Sequence, residues 1–101
     1  MEFSYHQTGE VVQVKICGEV GQENIPELMK QMRLLLTKDF REVVFDLTEV
    51  PGITSAMIGK FLMFYKNTAA RGIRMRINGV NKGIYGYFQT LRMNELFPVE
   101  P

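Results

Sequence analysis

One short segment, residues 42–47, constrains the fold more than any other part of the chain. It reads Glu-Val-Val-Phe-Asp-Leu, so its apolar residues are not confined to alternate positions. A nearly continuous apolar run of this kind, ended by Pro51-Gly52, suits a central strand that is covered on both faces. Such a strand needs paired strands beside it and helices over it. The segment therefore predicts an α/β fold.

Segments with strand patterns lie on both sides of this run. Val11–Cys17 alternates apolar and polar side chains, and Phe3–His6 can pair with it through a turn at Gly9-Glu10. Ile73–Ile77 also alternates, as expected of a strand with one face on the core and one face in water. Leu96–Val99 is short and contains a proline, which a strand tolerates only at the edge of a sheet.

Three helices are predicted between these strands. Asn24 can cap the first, and Asn81 opens the third. The second begins near Thr54 or Ser55 and runs to Ala70. The apolar stripes of the three helices are, in turn, Ile25, Leu28, Met32, Leu35 and Leu36; Ile58, Phe61, Leu62 and Tyr65; and Ile84, Tyr87, Phe88 and Leu91.

The resulting order, β-β-α-β-α-β-α-β, predicts a mixed, largely parallel sheet of four to five strands with the helices packed on it. A chain of 101 residues has the usual length of one domain. We therefore assign residues 1–101 to a single domain.

Composition argues against several classes of function. Twelve Lys and Arg face eleven Asp and Glu, without the basic excess of a nucleic-acid-binding domain. The only cysteine, Cys17, can form no internal disulfide or cysteine-based metal site. The only histidine, His6, leaves few groups for acid–base catalysis. We therefore expect a protein that is not an enzyme and that holds no metal.

Two further features bear on location and charge. The first residues lack a signal-peptide pattern, and Phe61–Tyr65 is far shorter than the ~20 apolar residues that span a bilayer. The sequence therefore predicts a cytoplasmic protein without membrane insertion. Lys66, Arg71, Arg74 and Arg76 form either a small basic patch or, as the composition favours, a solvated face.

The segment Phe45–Gly59, FDLTEVPGITSAMIG, resembles the STAS domain family, best known as anti-sigma factor antagonists. Asp46-Leu47 match the family's strand end, and Val50-Pro51 match the turn before a motif of the type Asp-Ser-Ser-Gly-Leu-Gly. Residues 18–20, 71–73, 78–80 and 91–99 follow the family pattern in the same order. The resemblance thus covers essentially the whole chain and implies the STAS fold.

Ser55 falls on the serine that is phosphorylated in this family. Independently of the family, it lies at a predicted strand–loop–helix junction, where unpaired backbone N–H groups and the helix dipole favour a phosphate. The resemblance implies phosphorylation of Ser55, with Thr54 as the fallback. The residues alone leave open that Ser55 or Thr54 is only the helix N-cap.

The chain departs from the family pattern around Ser55. Thr54 stands in place of an aspartate, Ala56 in place of a second hydroxyl residue, and Met57 in place of a glycine, which implies a bulkier docking surface. Gly21 replaces an acidic residue in a loop of the family's binding face. The partner-binding residues implied by the resemblance are Gly21, Gly52, Thr54, Ser55, Ala56, Met57 and Lys60.

The second helix is apolar on more than one face. Met57, Met63 and Phe64 either lie exposed around Ser55 as part of a partner surface, or belong to a wide stripe that faces the core.

The resemblance implies a bacterial signalling regulator. It would bind a kinase-type anti-sigma factor, an ATPase of the histidine-kinase-like type, or a similar partner, and would be switched off when Ser55 is phosphorylated. The kinase would bind the ATP, so the resemblance implies no cofactor in this chain. A PP2C-type phosphatase would restore the binding form. Two alternatives stay open: a non-phosphorylated structural STAS subunit of a lipid-transport ABC complex, and a scaffold subunit of a stress-sensing assembly.

Overall fold

Five strands form one sheet, and their order in space is their order in the chain. The computed structural model describes residues 1–101. The strands are β1 Glu2–Thr8, β2 Val11–Cys17, β3 Glu42–Glu49, β4 Arg74–Asn78 and β5 Val99–Glu100. They lie in the order β1-β2-β3-β4-β5, with β1 antiparallel to β2 and all other neighbours parallel. The prediction of a mixed, largely parallel sheet is confirmed.

Three helices connect the parallel strands. They are α1 Ile25–Leu35, α2 Ser55–Ala70 and α3 Lys82–Thr90, with short 3-10 turns at Gln22–Asn24 and Met93–Glu95. The second helix begins and ends where the sequence predicts. None of the helices combines the length and the apolar character that are needed to cross a membrane.

The capping role predicted for Asn24 is wrong. Asn24 itself has helical backbone angles, and its side chain accepts no hydrogen bond from the first turn of α1. Its Oδ1 instead accepts the backbone N–H of Gly21 at 3.0 Å. The side chain therefore stabilises the 3-10 turn that precedes the helix.

The helices cover one face of the sheet only. Val14 and Phe45, which the register places side by side, lie on the covered face in a core cluster of 25 buried residues. Val44 faces the other way and is the one buried apolar residue outside that cluster. Sequential strand order with crossovers of one hand places every helix on the same side. The expectation that β3 is covered on both faces is therefore wrong, and Val44 lies between its strand neighbours Gln13 and Arg76.

The second helix lies over the middle of the sheet. Phe45 of β3 packs edge-on against Phe61 and Phe64, with ring centroids 5.0 and 5.5 Å apart. Met57 and Phe64 are buried, whereas Met63 is 54% exposed. For Met57 and Phe64 the correct alternative is therefore the wide core-facing stripe.

The predictions are least accurate near the end of the chain. Ile84 and Phe88 are buried as expected, but Tyr87 and Leu91 are exposed, because α3 packs at the edge of the sheet against β5 and nothing covers its outer side. The short edge strand predicted at Leu96–Val99 is present as β5, but its predicted bounds are wrong, because it covers Val99–Glu100. Pro98 has no N–H to donate to a ladder, and pairing with β4 begins only at Val99.

Candidate functional site

Five of the seven predicted partner-binding residues lie at or just after the carboxyl ends of β2 and β3. Residues 18–21 and 50–54 follow these two strands, which are parallel neighbours, so both loops lie at the same edge of the sheet. Together they line a shallow depression of about 330 Å³, whose walls include Gly21, Gly52 and Thr54. The exposed residues Ser55 and Ala56 come directly after this depression, at the start of α2.

Thr54 is the N-cap of α2. Its backbone is extended, with φ −112° and ψ 161°, and its Oγ1 accepts the backbone N–H of Met57 at 3.2 Å. Its carbonyl accepts the N–H of Ile58 at 3.0 Å. Ser55 is the first helical residue, is exposed, and does not supply this cap. Of the two hydroxyl residues that the sequence leaves open as cap, the structure selects Thr54.

The start of α2 is electrostatically suited to an anion. A helix N-terminus carries a partial positive charge and unpaired N–H groups. The first turn of α2 contains no acidic residue to offset that charge. Glu19, on the opposite loop, is the one acidic residue that lines the depression. A negative group attached to the Ser55 hydroxyl would therefore be stabilised by the helix and not repelled within its own turn.

Small residues leave the backbone around Ser55 open. A Cβ added to Gly52 would have no neighbour within 4 Å, and Ala56 is exposed. Gly21 is more confined, because a Cβ there would come within 2.7 Å of the Glu23 carboxylate. A partner can therefore approach the main chain closely at Gly52, whereas a side chain at position 21 would displace Glu23.

Two of the predicted partner-binding residues lie elsewhere. Met57 is fully buried, so the expectation that it adds bulk to a docking surface is wrong. It points into the core because the third position of α2 faces the sheet. Lys60 is half-buried and lines a groove between α1 and α2, not the depression.

Asn81 also holds the loop of the candidate site in place, a role that its residue type and position in the sequence do not indicate. Its Oδ1 caps α3 by accepting the N–H of Ile84 at 2.8 Å, as the sequence predicts. Its Nδ2 also donates to the carbonyls of Val50 and Pro51, at 3.3 and 3.2 Å. One side chain thus joins the start of α3 to the loop that leads into Ser55.

Two other residues considered in the sequence analysis, Arg71 and Cys17, have no part in this site. The Arg71 guanidinium donates to the Leu36 carbonyl at 2.6 Å and to the Lys38 carbonyl at 3.3 Å, so it ties the end of α2 to the end of α1. The Cys17 Sγ lies 3.5 Å from the Glu49 carboxylate. Desolvation, and then the bond to Glu49, raise the pKa of the Cys17 thiol, which makes it a poor nucleophile.

Comparison with known proteins places this chain in a family. The family model of the STAS domain matches residues 2–101. A comparison with the sequences of curated proteins finds no match.

Several solved structures share the fold at low sequence identity. The Thermotoga maritima protein TM1081, a candidate anti-sigma factor antagonist, has a TM-score of 0.90 at 18% identity, over 98% of this chain and 86% of its own. An anti-sigma factor antagonist from Mycobacterium paratuberculosis has a TM-score of 0.88 at 15% identity, over 99% and 85%.

The anti-sigma factor antagonist SpoIIAA in its unphosphorylated form has a TM-score of 0.81 at 14% identity, over 97% and 87%. The Bacillus cell fate determinant SpoIIAA in its phosphorylated form has a TM-score of 0.77 at 13% identity, over 97% and 90%. At these identities the likeness establishes the fold.

Proposed function

Because this chain belongs to the STAS domain family, we propose that it is a bacterial signalling regulator of the anti-sigma factor antagonist kind. It binds a kinase-type anti-sigma factor or a similar protein, and phosphorylation of Ser55 releases that partner. The observation that carries the proposal is the exposed Ser55 hydroxyl at the start of α2, which the helix does not need as a cap.

A phosphate at Ser55 is compatible with the fold. It adds about −1.5 to −2 charges and three acceptor oxygens. The positive end of α2 contributes roughly 0.3–1 kcal/mol in favour of a charge there. The cap on the Met57 N–H belongs to Thr54 and survives modification of Ser55. Phosphorylation of Thr54, the fallback, would instead alter the cap itself.

The same phosphate opposes docking. The residues around Ser55 include Gly52 and Ala56, which are small and uncharged. A partner packed against them would bury the phosphate, and these residues supply no cation to pair with it. A buried and unpaired charge costs several kcal/mol. Each 1.4 kcal/mol is about a tenfold change in affinity. Modification of one hydroxyl is therefore enough to end binding.

The partners follow from this scheme. The kinase-type partner, of the histidine-kinase-like ATPase class, binds the ATP, and this chain holds no cofactor and performs no catalysis of its own. A PP2C-type phosphatase restores the binding form. The whole cycle takes place in the cytoplasm.

The test compares wild type, Ser55→Ala and Ser55→Asp by calorimetric titration against the cognate kinase. Ser55→Ala keeps binding, Ser55→Asp loses at least about tenfold in affinity, and all three melt at nearly the same temperature. Ser4→Asp, an exposed charge on β1, is the matched control and leaves binding unchanged. Phosphopeptide mass spectrometry after incubation with the kinase and ATP locates the phosphate on Ser55.

A second function is favoured by one observation. The family's aspartate beside the acceptor serine is here Thr54, whose side chain is used as a helix cap. If Ser55→Asp binds as tightly as wild type and no phosphate appears on Ser55 or Thr54, the switch is refuted. The domain is then a structural STAS subunit, of a lipid-transport ABC complex or of a stress-sensing scaffold.

A further inference from the structure

We propose that the groove between α1 and α2 is a second docking site, which takes an acidic amphipathic helix of a protein partner. We call it the α1–α2 groove. It is lined by Met29, Met32, Arg33 and Leu36 of the α1 side and by Lys60, Met63, Phe64 and Asn67 of α2. This site goes beyond the proposed switch and does not depend on Ser55.

The floor and walls of the groove are apolar and adaptable. Met32 and Phe64 are buried at its base, and Met29 and Leu36 are half-buried. Met63 stands on the α2 wall with 54% of its surface exposed. Methionine is flexible and polarizable, and methionine-rich surfaces adapt to apolar anchors of different shapes. The groove therefore offers a recess for apolar side chains from outside the chain.

The charges of the groove have one sign. Arg33 is on one wall and Lys60 on the other, and no carboxylate lines the groove. Neither cation takes part in an ion pair, since the two ion pairs of the structure are Lys15–Glu49 and Arg74–Glu42. An occupant with carboxylates on both flanks would pair with cations that now have no partner. The complementary occupant is therefore acidic.

The dimensions of the groove favour a helix over a small amphiphile. Its volume is about 210 Å³, below the range of roughly 300–1,000 Å³ that buries most of a small ligand. Its walls run from Met29 to Leu36 and from Lys60 to Asn67, and seven residues are about 10 Å of helix. A docked helix presents anchors at positions i, i+3 or i+4 and i+7 over that same length. The walls are held side by side because Arg71, just past α2, donates to the Leu36 carbonyl at 2.6 Å.

The groove is separate from the depression beside Ser55. The first α2 residue that lines the groove is Lys60. It is five residues from Ser55, or about 7.5 Å along the helix. No residue lines both the groove and the depression. A partner in the groove would therefore leave Ser55 open to a kinase.

The test uses a displayed library of helical peptides with leucine anchors at i, i+4 and i+7 and all other positions randomised. Selection against the full chain is expected to enrich peptides with Asp or Glu on both flanks of the anchors. The tightest selected peptide is then titrated, with a fluorescent label, by anisotropy. Met63→Asp is expected to weaken binding at least about tenfold, as for a central interface anchor. The double variant Arg33→Glu, Lys60→Glu is expected to bind a lysine-flanked version of the peptide instead.

Two controls keep the result specific. Leu34→Asp changes an α1 residue that is 46% exposed and lies outside the groove, and it should leave affinity within about twofold, as expected away from the anchors. Ser55→Asp should also leave it within about twofold, so failure of the switch does not affect this test. The proposal is overturned if the selected peptides have no acidic bias, or if Met63→Asp binds the peptide as well as wild type. It is equally overturned if dodecanoate, a small amphiphile, displaces the peptide at stoichiometric amounts. It is also overturned if light scattering finds a dimer that Met63→Asp dissociates, because the occupant is then a second copy of this chain.

Discussion

Removing the hydroxyl of Thr54 tests whether the cap of α2 belongs to Thr54 and not to Ser55, the proposed phosphorylation site. The Oγ1 of Thr54 accepts the Met57 N–H at 3.2 Å, and Thr54 is exposed. Replacing a capping threonine by alanine costs about 0.5–2 kcal/mol of folding free energy. This cap bond is long and only partly buried, so its loss belongs to the lower half of that range, roughly 0.5–1 kcal/mol. For a domain of about 100 residues this lowers the melting temperature by about 2–5 °C.

Ser55→Ala should behave differently. Ser55 is at the first helical position and makes no contribution to the cap, and alanine is the better helix former, so the change should stay within about 0.5 kcal/mol. Thermal unfolding followed by circular dichroism measures both variants, with Thr54→Ser as the control that keeps the acceptor. Equal losses for Thr54→Ala and Ser55→Ala would refute the assignment, because Ser55 would then be needed by the helix.

Three more perturbations have definite outcomes. Phe61→Ala should lower the free energy of unfolding in urea by about 3–5 kcal/mol because the ring is fully buried. Met63→Ala, at an exposed position, should lower it by under about 1 kcal/mol. Similar losses for the two variants would mean that the faces of α2 are misassigned. Asn81→Asp keeps an acceptor for the α3 cap but loses the donor to the carbonyls of the preceding loop, so amide exchange should accelerate at residues 50–54 and not in α3. The raised pKa of the Cys17 thiol leaves less thiolate at pH 8 than in a free cysteine; Glu49→Gln should lower that pKa and speed alkylation by iodoacetamide, and unchanged rates would contradict the contact.

Periodicity predicted the regular parts of the sheet well. The alternation of Val12, Val14 and Ile16 gave the correct inward face of β2, and the residues around Ser55 gave the start of α2 to within one residue. These signals are local, since a strand or helix that covers one side of a core needs apolar residues at a fixed spacing. The STAS resemblance then supplied the residues of the candidate site.

The face of α2 was harder to predict for a physical reason. Its apolar residues surround much of the helix, so no single stripe is marked by sequence. Burial of Met57 and Phe64 is decided by position, because α2 lies over Phe45 at the centre of the sheet. In α3 position leads to exposure instead of burial: Tyr87 is exposed because the edge of the sheet offers nothing to cover it.

The role of Asn81 in the site could not be predicted from one sequence. Its cap on α3 is a local pattern, but its bonds to the carbonyls of Val50 and Pro51 join residues about thirty positions apart. Such contacts depend on how two loops meet after folding. The groove between α1 and α2 could not be predicted for the same reason, since its two cations lie on helices that are separated in the chain by a strand.

The strand order β1-β2-β3-β4-β5 has a consequence for how the chain assembles during synthesis. Each strand pairs with the one made just before it, so no strand has to insert between two that are already paired. Every ladder after the first hairpin closes over a single connection that carries one helix, and contacts of short sequence separation form fastest. The sheet can therefore grow by addition at one edge while the ribosome is still producing the rest of the chain. The loop before Ser55 emerges ahead of Asn81, and it gains its last two hydrogen bonds only when the start of α3 arrives.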